Sequence, residues 1–313
     1  MLKYLAKRIA RSLITLFIVI TIVFTLLRQM PIEGYFNNFE KMSEEQIERG
    51  LTRLGLTDPL PTQLLNFYGD LLRGDLGISN KYRPGVEIAE ILSTRVPVSV
   101  AFGCASMALS LLLGIPLGAV MARCKNRWPD HLGTVFIVFI NAVPSAVYYL
   151  FIQMYGTEIF GLSMLFSRTN PATWILPTIS LSLGNIAYYG MWLRRYMVDE
   201  SNKDYVKLAV AKGVDSKTIM MKHVFRNAFV PLVQYIPTSL LLTMVGSIYV
   251  EGLYSIPGMG GLLVTAIQGQ DNTLVQALVI IYAIISILGL ILGDILMTLV
   301  DPRISFTKKE GAR

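Results

Sequence analysis

Long apolar runs dominate the chain and are separated by shorter polar segments. The first run, 9–27, is long enough to cross a bilayer as a helix, which takes about 20 residues. Five further runs of suitable length follow, over residues 96–121, 132–155, 174–193, 232–250 and 273–299. The pattern therefore predicts an all-α polytopic membrane protein with six transmembrane helices.

Residues that allow close helix packing or bend helices interrupt two of these runs. Gly103, Gly114 and Gly118 lie in the second run together with Pro116, and Pro144 lies in the middle of the third. Small residues let neighbouring helices approach closely within a membrane. We therefore expect neighbouring helices to approach the second span closely. The segment 251–272 contains SIPGMGG, which predicts an irregular, tightly folded outer loop.

Residues 29–94 form a polar insert between the first two spans. The insert contains ten acidic and six basic residues, hence a net charge of −4, opposite in sign to the other polar segments. Ser43-Glu-Glu-Gln is the pattern of a capping box and predicts a helix start, and a second helix is expected near 63–72. Gly74 begins a predicted turn. The acidic balance favours an extracytoplasmic, helical domain.

The remaining charge is basic and sits in short segments. Lysines and arginines flank the first span, occupy 123–127 and recur in 194–231 and at the C-terminal end. This distribution follows the positive-inside rule and predicts an uncleaved first span with both termini cytoplasmic. The chain is 53% hydrophobic but only 16% charged, with a formal charge of +7. Because the basic residues are not interleaved with stacking aromatics, we expect no nucleic-acid partner.

The segment 194–231, called the coupling loop below, is the longest basic interruption between apolar runs. Gly213 and the Val-Asp-Ser after it predict the end of one helix and the N-cap of the next. Helical spacing places Tyr205, Leu208, Ala209 and Lys212 on one face. This helix–turn–helix is interpreted as a docking element for a partner that supplies energy. The alternative is a basic membrane-surface helix that only sets topology.

The sequence contains no recognisable catalytic or nucleotide-binding motif. The nearest approach to a phosphate-binding loop, Lys212-Gly-Val-Asp-Ser-Lys-Thr, lacks the glycine spacing that the motif requires. Zinc-protease, C-x-x-C and G-x-S-x-G motifs are also missing from the sequence. We therefore expect a chain that is not an enzyme and that binds no metal and no cofactor of its own.

A few polar residues fall within the apolar runs and are candidates for function. Asp294 is an intramembrane acid, and such residues are functional candidates by default. A proton-coupling role for Asp294 would make the protein a secondary transporter, whereas an ion pair with Arg194 or Arg195 would make it structural. Possible pathway residues, for which interhelical hydrogen bonding is the commoner alternative, are Asn141, Gln153, Asn185 and Gln234. The pairs Tyr148-Tyr149 and Tyr188-Tyr189 offer either a pore surface or packing.

Several motifs together resemble one family over essentially the whole chain. The coupling loop is similar to the cytoplasmic "EAA" loop of ABC-importer permeases, and the chain looks most like the B-type subunit of the di-/oligopeptide (and nickel) permease family. Lys207 stands where the general pattern has an acidic residue. A basic residue at this position is usual in the peptide subfamily. The matching residues are Asp204-Tyr205-Val206, Ala209, Ala211-Lys212-Gly213, His223, Asn227 and Pro231. The further matching stretches are LGLTDPLPTQ, LLRGDLGIS, RVPVSVAFG, LLLGIPLGA, SIPGMGGLL and LVDPRIS.

The resemblance implies a type I ABC importer permease in a bacterial or archaeal inner membrane. Expected partners are membrane lipid, a second homologous permease, two ATPase subunits that hold ATP and Mg, and an extracytoplasmic substrate-binding protein. Tyr205, Leu208, Ala209, Lys212 and Gly213 would couple to the ATPase. His223, Asn227 and Pro231 would anchor the loop to the fifth span. The expected cargo is a di- or oligopeptide, and nickel or oligosaccharides are the alternatives within the same architecture.

These observations predict four regions. Residues 1–28 form the N-terminal tail and first span, and 29–94 form the extracytoplasmic insert. Residues 95–301 form the permease core, which includes the coupling loop, and 302–313 form a cytoplasmic tail.

Overall fold

The structure, a computed structural model, describes residues 2–300 and is helical throughout that range apart from turns, loops and one isolated antiparallel bridge between Ile78 and Glu87. Asp301 and the predicted tail 302–313 lie outside the described residues. The all-α fold is confirmed. The helices are α1 (Leu2–Leu27), α2 (Glu44–Arg53), α3 (Leu60–Arg73), α4 (Ile88–Arg123), α5 (Trp128–Ala142), α6 (Ser145–Phe160), α7 (Ile175–Ser201), α8 (Asp204–Ala211), α9 (Ser216–Thr218), α10 (Arg226–Met244), α11 (Ile248–Leu253), α12 (Met259–Gln268) and α13 (Asn272–Val300).

Each of the six predicted spans coincides with one long helix or with a pair of consecutive helices. Four stretches are long and apolar enough to cross a membrane as single helices: Ile9–Leu27, Ile88–Arg123, Ser216–Leu253 and Asn272–Met297. The pair α5 and α6 would be a fifth span, although the two helices bend by 110° at their junction. The third span was predicted as one helix. It breaks at Pro144, which is the N-cap residue of α6, because proline cannot donate the backbone hydrogen bond that would continue α5.

The fourth predicted span, α7, is long enough to cross a bilayer but is less apolar than the others. It contains serines, Asn185 and several tyrosines, and ten of its residues are buried. α4 packs along α7, and α5 and α10 also contact it. Its neighbours therefore shield α7 from lipid, so it needs less hydrophobic surface than the outer helices.

Glycines bring α4 and α7 into backbone contact, as the sequence predicted for the second span. A methyl group at Gly118 would lie 2.7 Å from the backbone oxygen of Gly190, and one at Gly114 would lie 3.1 Å from that of Ile186. Gly103 makes a similar approach to the backbone of Met244 in α10. Any larger side chain at Gly118 would separate the two central helices.

The segment 251–272 differs from its prediction as an irregular loop. It contains the end of α11 and all of α12, two short helices joined at Ser255, whose φ is +53°. At ten residues, α12 is too short to cross a bilayer. Apolar residues of α12 pack against the start of α4 and the first half of α13. They form one hydrophobic cluster at that end of the bundle.

The polar insert folds as the sequence predicts. Ser43 accepts a bond from the backbone N–H of Gln46, and the Gln46 side chain accepts one from the backbone N–H of Ser43. The second predicted helix is α3, and it ends at Gly74, which has φ +78°. Tyr68 of α3 bonds to Thr21 Oγ1 at 2.9 Å. The insert is therefore attached to α1 as well as to the loop before α13.

One buried carboxylate makes most of the hydrogen bonds between the insert and the start of α13, beside a bond from Asn80 Nδ2 to Thr273 Oγ1 at 2.9 Å. Asp271 Oδ2 accepts hydrogen bonds from Ser79 Oγ at 2.6 Å and from the backbone N–H groups of Asn80, Lys81 and Tyr82 at 3.0 to 3.1 Å. Its Oδ1 accepts one from the N–H of Leu274, in the first turn of α13. Burial opposes ionisation, but the bonds from Ser79 and these N–H groups outweigh it and lower the pKa of Asp271.

We predict that the Asp271→Ala substitution will detach residues 79–82 from α13 and cost about 3 kcal/mol, because hydrogen bonds to a buried charge contribute about 1.5–3 kcal/mol each. The measurement is thermal unfolding of the detergent-solubilised chain, followed by limited proteolysis of the insert. The Asp75→Ala control loses one exposed bond, to the N–H of Gly77, and should cost less than about 1 kcal/mol. Equal effects of the two substitutions would contradict this role for Asp271.

The same bonds predict a pH dependence. Because the folded-state pKa of Asp271 is lowered, its stabilising contribution is complete above the unfolded-state value of about 3.9 and is lost as the pH falls through the folded-state value. The difference in stability between the wild type and Asp271→Ala should therefore be constant from about pH 5 to pH 8 and shrink below about pH 4. A difference that grew on acidification would refute the assignment.

Candidate functional site

The coupling loop follows α7 directly and folds as a short helix, a turn and a long helix. α8 runs from Asp204 to Ala211, and Gly213 then adopts φ +75°. Asp215 caps the next helix by accepting a 2.8 Å hydrogen bond from the N–H of Thr218. This bond and one from the Thr218 hydroxyl lower the pKa of Asp215. The predicted helix stop and the new N-cap are therefore confirmed.

The second helix of the loop continues without interruption into the fifth span. One α-helical turn leads into a π-helical turn, Ile219–Phe225, and then into α10. Pro231 lies inside α10, one turn after Asn227. The loop is thus part of the same helical rod as the span, as the anchoring prediction requires geometrically.

Tyr205 connects three elements through its hydroxyl group. The hydroxyl can donate to Glu200 Oε1 at 2.5 Å or to the backbone oxygen of His223 at 3.1 Å, and it accepts a bond from Asn227 Nδ2 at 2.9 Å. The end of α7, the start of α8 and the junction with α10 therefore meet at one side chain. Burial, together with the bond to Glu200, raises the pKa of Tyr205 to about 12, so the group stays protonated at neutral pH.

The anchoring residues predicted from the sequence act partly through their backbone. Asn227 contributes its side-chain amide to Tyr205, whereas His223 contributes its carbonyl oxygen. Glu200 was not predicted. Its signal in the sequence is its position five residues before Tyr205 at the end of a span, which is too weak to identify a hydrogen-bond acceptor.

α8 has one buried and one exposed face. Val206 and Ala209 are buried in a cluster that includes Leu193 of α7 and Ile219, Val224 and Ala228 of the second loop helix and α10. Leu208 and Val210 instead expose 57% and 61% of their surface. The sequence expectation that Ala209 shares an exposed face with Leu208 and Lys212 is therefore corrected: Ala209 points into the protein. Helical spacing defines which residues align but not which side is covered.

The exposed face combines apolar and basic side chains. Met221, 55% exposed, adds to Leu208 and Val210, and Lys212 and Gly213 are exposed beside them. Further lysines surround these apolar groups, and one of them, Lys207, pairs with Asp204 at 2.8 Å. We call these exposed residues, Leu208, Val210, Lys212 and Met221, the α8 patch; Leu208 and Val210 lie on opposite flanks of α8, about 200° apart around its axis. Exposed aliphatic groups within a charged surface are typical of a protein contact site.

Three of the polar residues proposed to line a pathway have different surroundings in the structure. Gln153 is buried and donates to the backbone oxygens of Met164 at 2.9 Å and Leu253 at 2.8 Å, so it holds α6, the following loop and α11 together. Asn141 is exposed near the end of α5. Asn185 lies on α7 and lines an open cavity. Only Asn185 among these three belongs to an open polar surface.

Asp294 does not pair with the arginines expected from the sequence. Arg194 forms a two-pronged ion pair with buried Asp130 of α5, at 2.5 Å from Nε to Oδ1 and 2.7 Å from Nη2 to Oδ2. Arg195 lies over the ring of Trp192. Asp294 is buried and accepts a 2.9 Å bond from Gln234 Nε2, which connects α13 to α10.

Two protein-family models match the sequence, one over its N-terminal third and one over most of the remainder. The sequence matches the family described as "binding-protein-dependent transport system inner membrane component" over residues 114–306. The N-terminal domain of such membrane components matches over residues 1–100.

Individual relatives agree with this match. The chain is 32% identical to the dipeptide transport system permease protein DppB of Lactococcus lactis subsp. cremoris, over 97% of this chain and 99% of that protein. It is 38% identical to the oligopeptide transport system permease protein AmiC of Streptococcus pneumoniae, over 68% of this chain but only 43% of that longer protein. A crystal structure of an amino acid ABC transporter superposes with a TM-score of 0.53 at 16% identity, over 69% of this chain and 95% of that one, and shows the same fold.

We predict that the Tyr205→Phe substitution will loosen α8. The hydroxyl group makes the bonds that join the three elements, and losing about 1 kcal/mol of local stability corresponds to roughly fivefold faster opening. Hydrogen exchange of the backbone amides of 204–214 measures this change. Tyr249→Phe, at an exposed tyrosine of α11, is the matched control and should leave exchange unchanged. Unchanged exchange in Tyr205→Phe would show that the ring alone holds the loop.

Proposed function

Because this chain belongs to the family of inner membrane components of binding-protein-dependent transport systems, we propose that it is the permease subunit of an ATP-driven importer of di- and oligopeptides. It carries out no chemistry itself. With a second, homologous permease it would enclose the path across a bacterial or archaeal inner membrane. A binding protein would deliver the cargo at the insert, and two cytoplasmic ATPase subunits would hold ATP and Mg. In this arrangement both termini are cytoplasmic.

The observation that carries the proposal is the α8 patch. Leu208, Val210 and Met221 are more than half exposed within a basic loop, although such side chains gain free energy when a partner covers them. Contact sites are organised in this way, with a few apolar anchors surrounded by charge. The family supplies the kind of partner, because a permease without an ATPase of its own needs one to drive transport. The patch would therefore enter a cleft of the ATPase subunit.

Movement of the ATPases would pass from the patch to the membrane helices through the buried side of α8. Val206 and Ala209 pack in the same cluster as Leu193 of α7 and Leu232 of α10. Tyr205 joins the same two helices by hydrogen bonds. Since a packed cluster transmits displacement rather than absorbing it, closure of the ATPases would move α7 and α10 as rigid bodies. Alternating access of the central path would follow.

The names of the relatives support a peptide cargo. DppB is named for dipeptide transport and AmiC for oligopeptide transport. The match to DppB spans nearly all of both chains, insert included. Peptides are therefore the cargo we propose, and nickel or oligosaccharides are outcomes that the transport assay below separates.

We predict that Leu208→Asp or Val210→Asp will weaken ATPase binding by about 30-fold, since loss of a central interface anchor costs about 2 kcal/mol. Co-purification with the ATPase and ATP-dependent uptake should both fall. Leu65→Asp, which changes an even more exposed leucine in the insert, is the control and should leave ATPase binding intact. The docking role is wrong if the α8 substitutions leave both measurements unchanged.

We further predict that proteoliposomes containing the complete complex will take up radiolabelled trialanine only with ATP on the ATPase side. Uptake should survive a protonophore, because the work is done by ATP and not by a proton gradient. The same vesicles should not accumulate radioactive nickel or maltotriose. Uptake driven by an imposed pH gradient without ATP, and abolished by Asp294→Asn, would instead establish a secondary transporter.

A further inference from the structure

One face formed by α7 and α10 combines aromatic rings with uncharged polar groups. Side chains at positions 181, 185, 188, 192 and 196 follow helical spacing along one side of α7. Side chains at 235, 239, 242 and 243 do the same on α10. An open cavity of about 210 Å³ lies between them, bounded by Tyr149 of α6 at one side. We call this surface the α7/α10 groove.

The groove offers aromatic rings and uncharged hydrogen-bonding groups. The rings of Tyr188 and Tyr235 stack across it with centroids 4.1 Å apart, and Trp192 stacks on Tyr196 at 5.5 Å. Asn185 Nδ2 makes a long bond of 3.4 Å to Thr243 Oγ1, so most of the amide's capacity for four hydrogen bonds is left over. The residues that line the cavity are Tyr149, Leu181, Asn185, Tyr235, Ser239, Leu242, Thr243, Gly246 and Ser247, and none of them is charged.

The two tyrosine pairs of the sequence show how selectively this face is built. Tyr188 is part of the groove, whereas its neighbour Tyr189 is fully buried and bonds to Ser239 Oγ at 2.5 Å. Tyr149 lines the cavity, whereas Tyr148 is buried. One member of each pair therefore packs the core, and the other faces the open space.

Apart from Asn141 near the end of α5, the exposed faces of α1, α5 and α13 have the composition of a lipid contact. Large aliphatic or phenylalanine side chains are exposed on α1, on α5 and on α13, among them Leu13, Ile14, Phe17, Ile18, Val135, Val138, Phe139, Leu288, Leu290 and Leu292. Hydrocarbon cannot satisfy an amide or a hydroxyl group, and each unsatisfied group costs several kcal/mol. An accessible Asn185 beside Thr243 therefore indicates a face that meets something polar.

We propose that the α7/α10 groove is the surface of this chain that contacts the peptide during translocation. This inference rests on the proposed function and specifies its site. Asn185 and Thr243 would bond to the N–H and C=O groups that every peptide residue presents, and Tyr188 and Tyr235 would pack against its side chains. From Leu181 to Tyr196 the face extends over about 22 Å at 1.5 Å per residue, enough for about six extended residues.

This chemistry also specifies what the groove selects. Neutral donors and acceptors recognise the peptide backbone and are indifferent to the charge of the side chains, and aromatic faces accept aliphatic and ring-containing groups alike. The groove would thus tolerate peptides of different sequence. It would disfavour a bare metal cation, which needs carboxylate, imidazole or thiolate ligands.

The first test compares transport kinetics in proteoliposomes containing the complete complex. Asn185→Leu and Tyr188→Leu should each reduce kcat/KM for ATP-dependent trialanine uptake by about fivefold or more, as expected for one lost hydrogen bond or ring contact. Tyr155→Leu is the matched control on the apolar side of α6, outside the groove, and should stay within twofold. Unchanged kinetics in both groove variants would overturn the inference.

The second test detects water and peptide in the groove directly. In a Cys104→Ser, Cys124→Ser background, Asn185→Cys should react with a charged methanethiosulfonate during ATP turnover, and trialanine delivered by the binding protein should slow the reaction. Val138→Cys, on the aliphatic face of α5, should not react. If Asn185→Cys is as inert as Val138→Cys in every nucleotide state, the groove is covered by lipid or by the second permease, and the inference fails.

The proposed function and the role of the groove can be disproved separately. If the wild-type complex shows no ATP-dependent trialanine uptake, the proposed function is wrong. If the wild type transports trialanine but Asn185→Leu and Tyr188→Leu transport it equally well, the function stands and the assignment of the groove is wrong.

Discussion

The backbone contact between α4 and α7 is the constraint on which the rest of this fold depends. Gly114 and Gly118 bring α4 against the backbone of α7 at Ile186 and Gly190. That proximity, with α5 and α10 packed alongside, covers α7 except on the side that faces the α7/α10 groove. A helix covered in this way no longer has to dissolve in lipid, so α7 can carry serines, an asparagine and a row of aromatic rings. The polar character of the chain is concentrated there as a consequence of packing.

What the sequence predicts well is local. The capping box at Ser43, the left-handed Gly213 and the N-cap at Asp215 each depend on residues within one helical turn, and all three are present. The spans themselves follow from the length of the apolar runs. Family resemblance, carried by many short motifs, reached further than any of these patterns.

The contacts that the sequence did not predict either join residues far apart in the chain or depend on which face of a helix is covered. The partner of Arg194 is 64 positions away at Asp130, and the donors to Asp271 lie about 190 positions before it. Arg194 was assigned to the wrong acid because several carboxylates fit a charge rule equally well. Ala209 was predicted to be exposed because helical spacing aligns it with Tyr205 and Lys212. Which side of the helix is covered depends on tertiary packing, and Ala209 is buried. Pro144 marked a bend, but only its neighbours determine that the bend is a break of 110°.

The hydrogen bonds to Asp271 have a consequence for how the sequence of the insert can change in evolution. Lys81 and Tyr82 contribute only backbone N–H groups to this carboxylate. Those groups are present in every amino acid except proline, so Lys81 can be replaced without loss of its bond to Asp271, whereas the ring of Tyr82 also packs against the cluster of α12 and α13. An insert could thus change its outer surface while the joint to the membrane helices stays the same. The attachment is modular because it recognises the main chain.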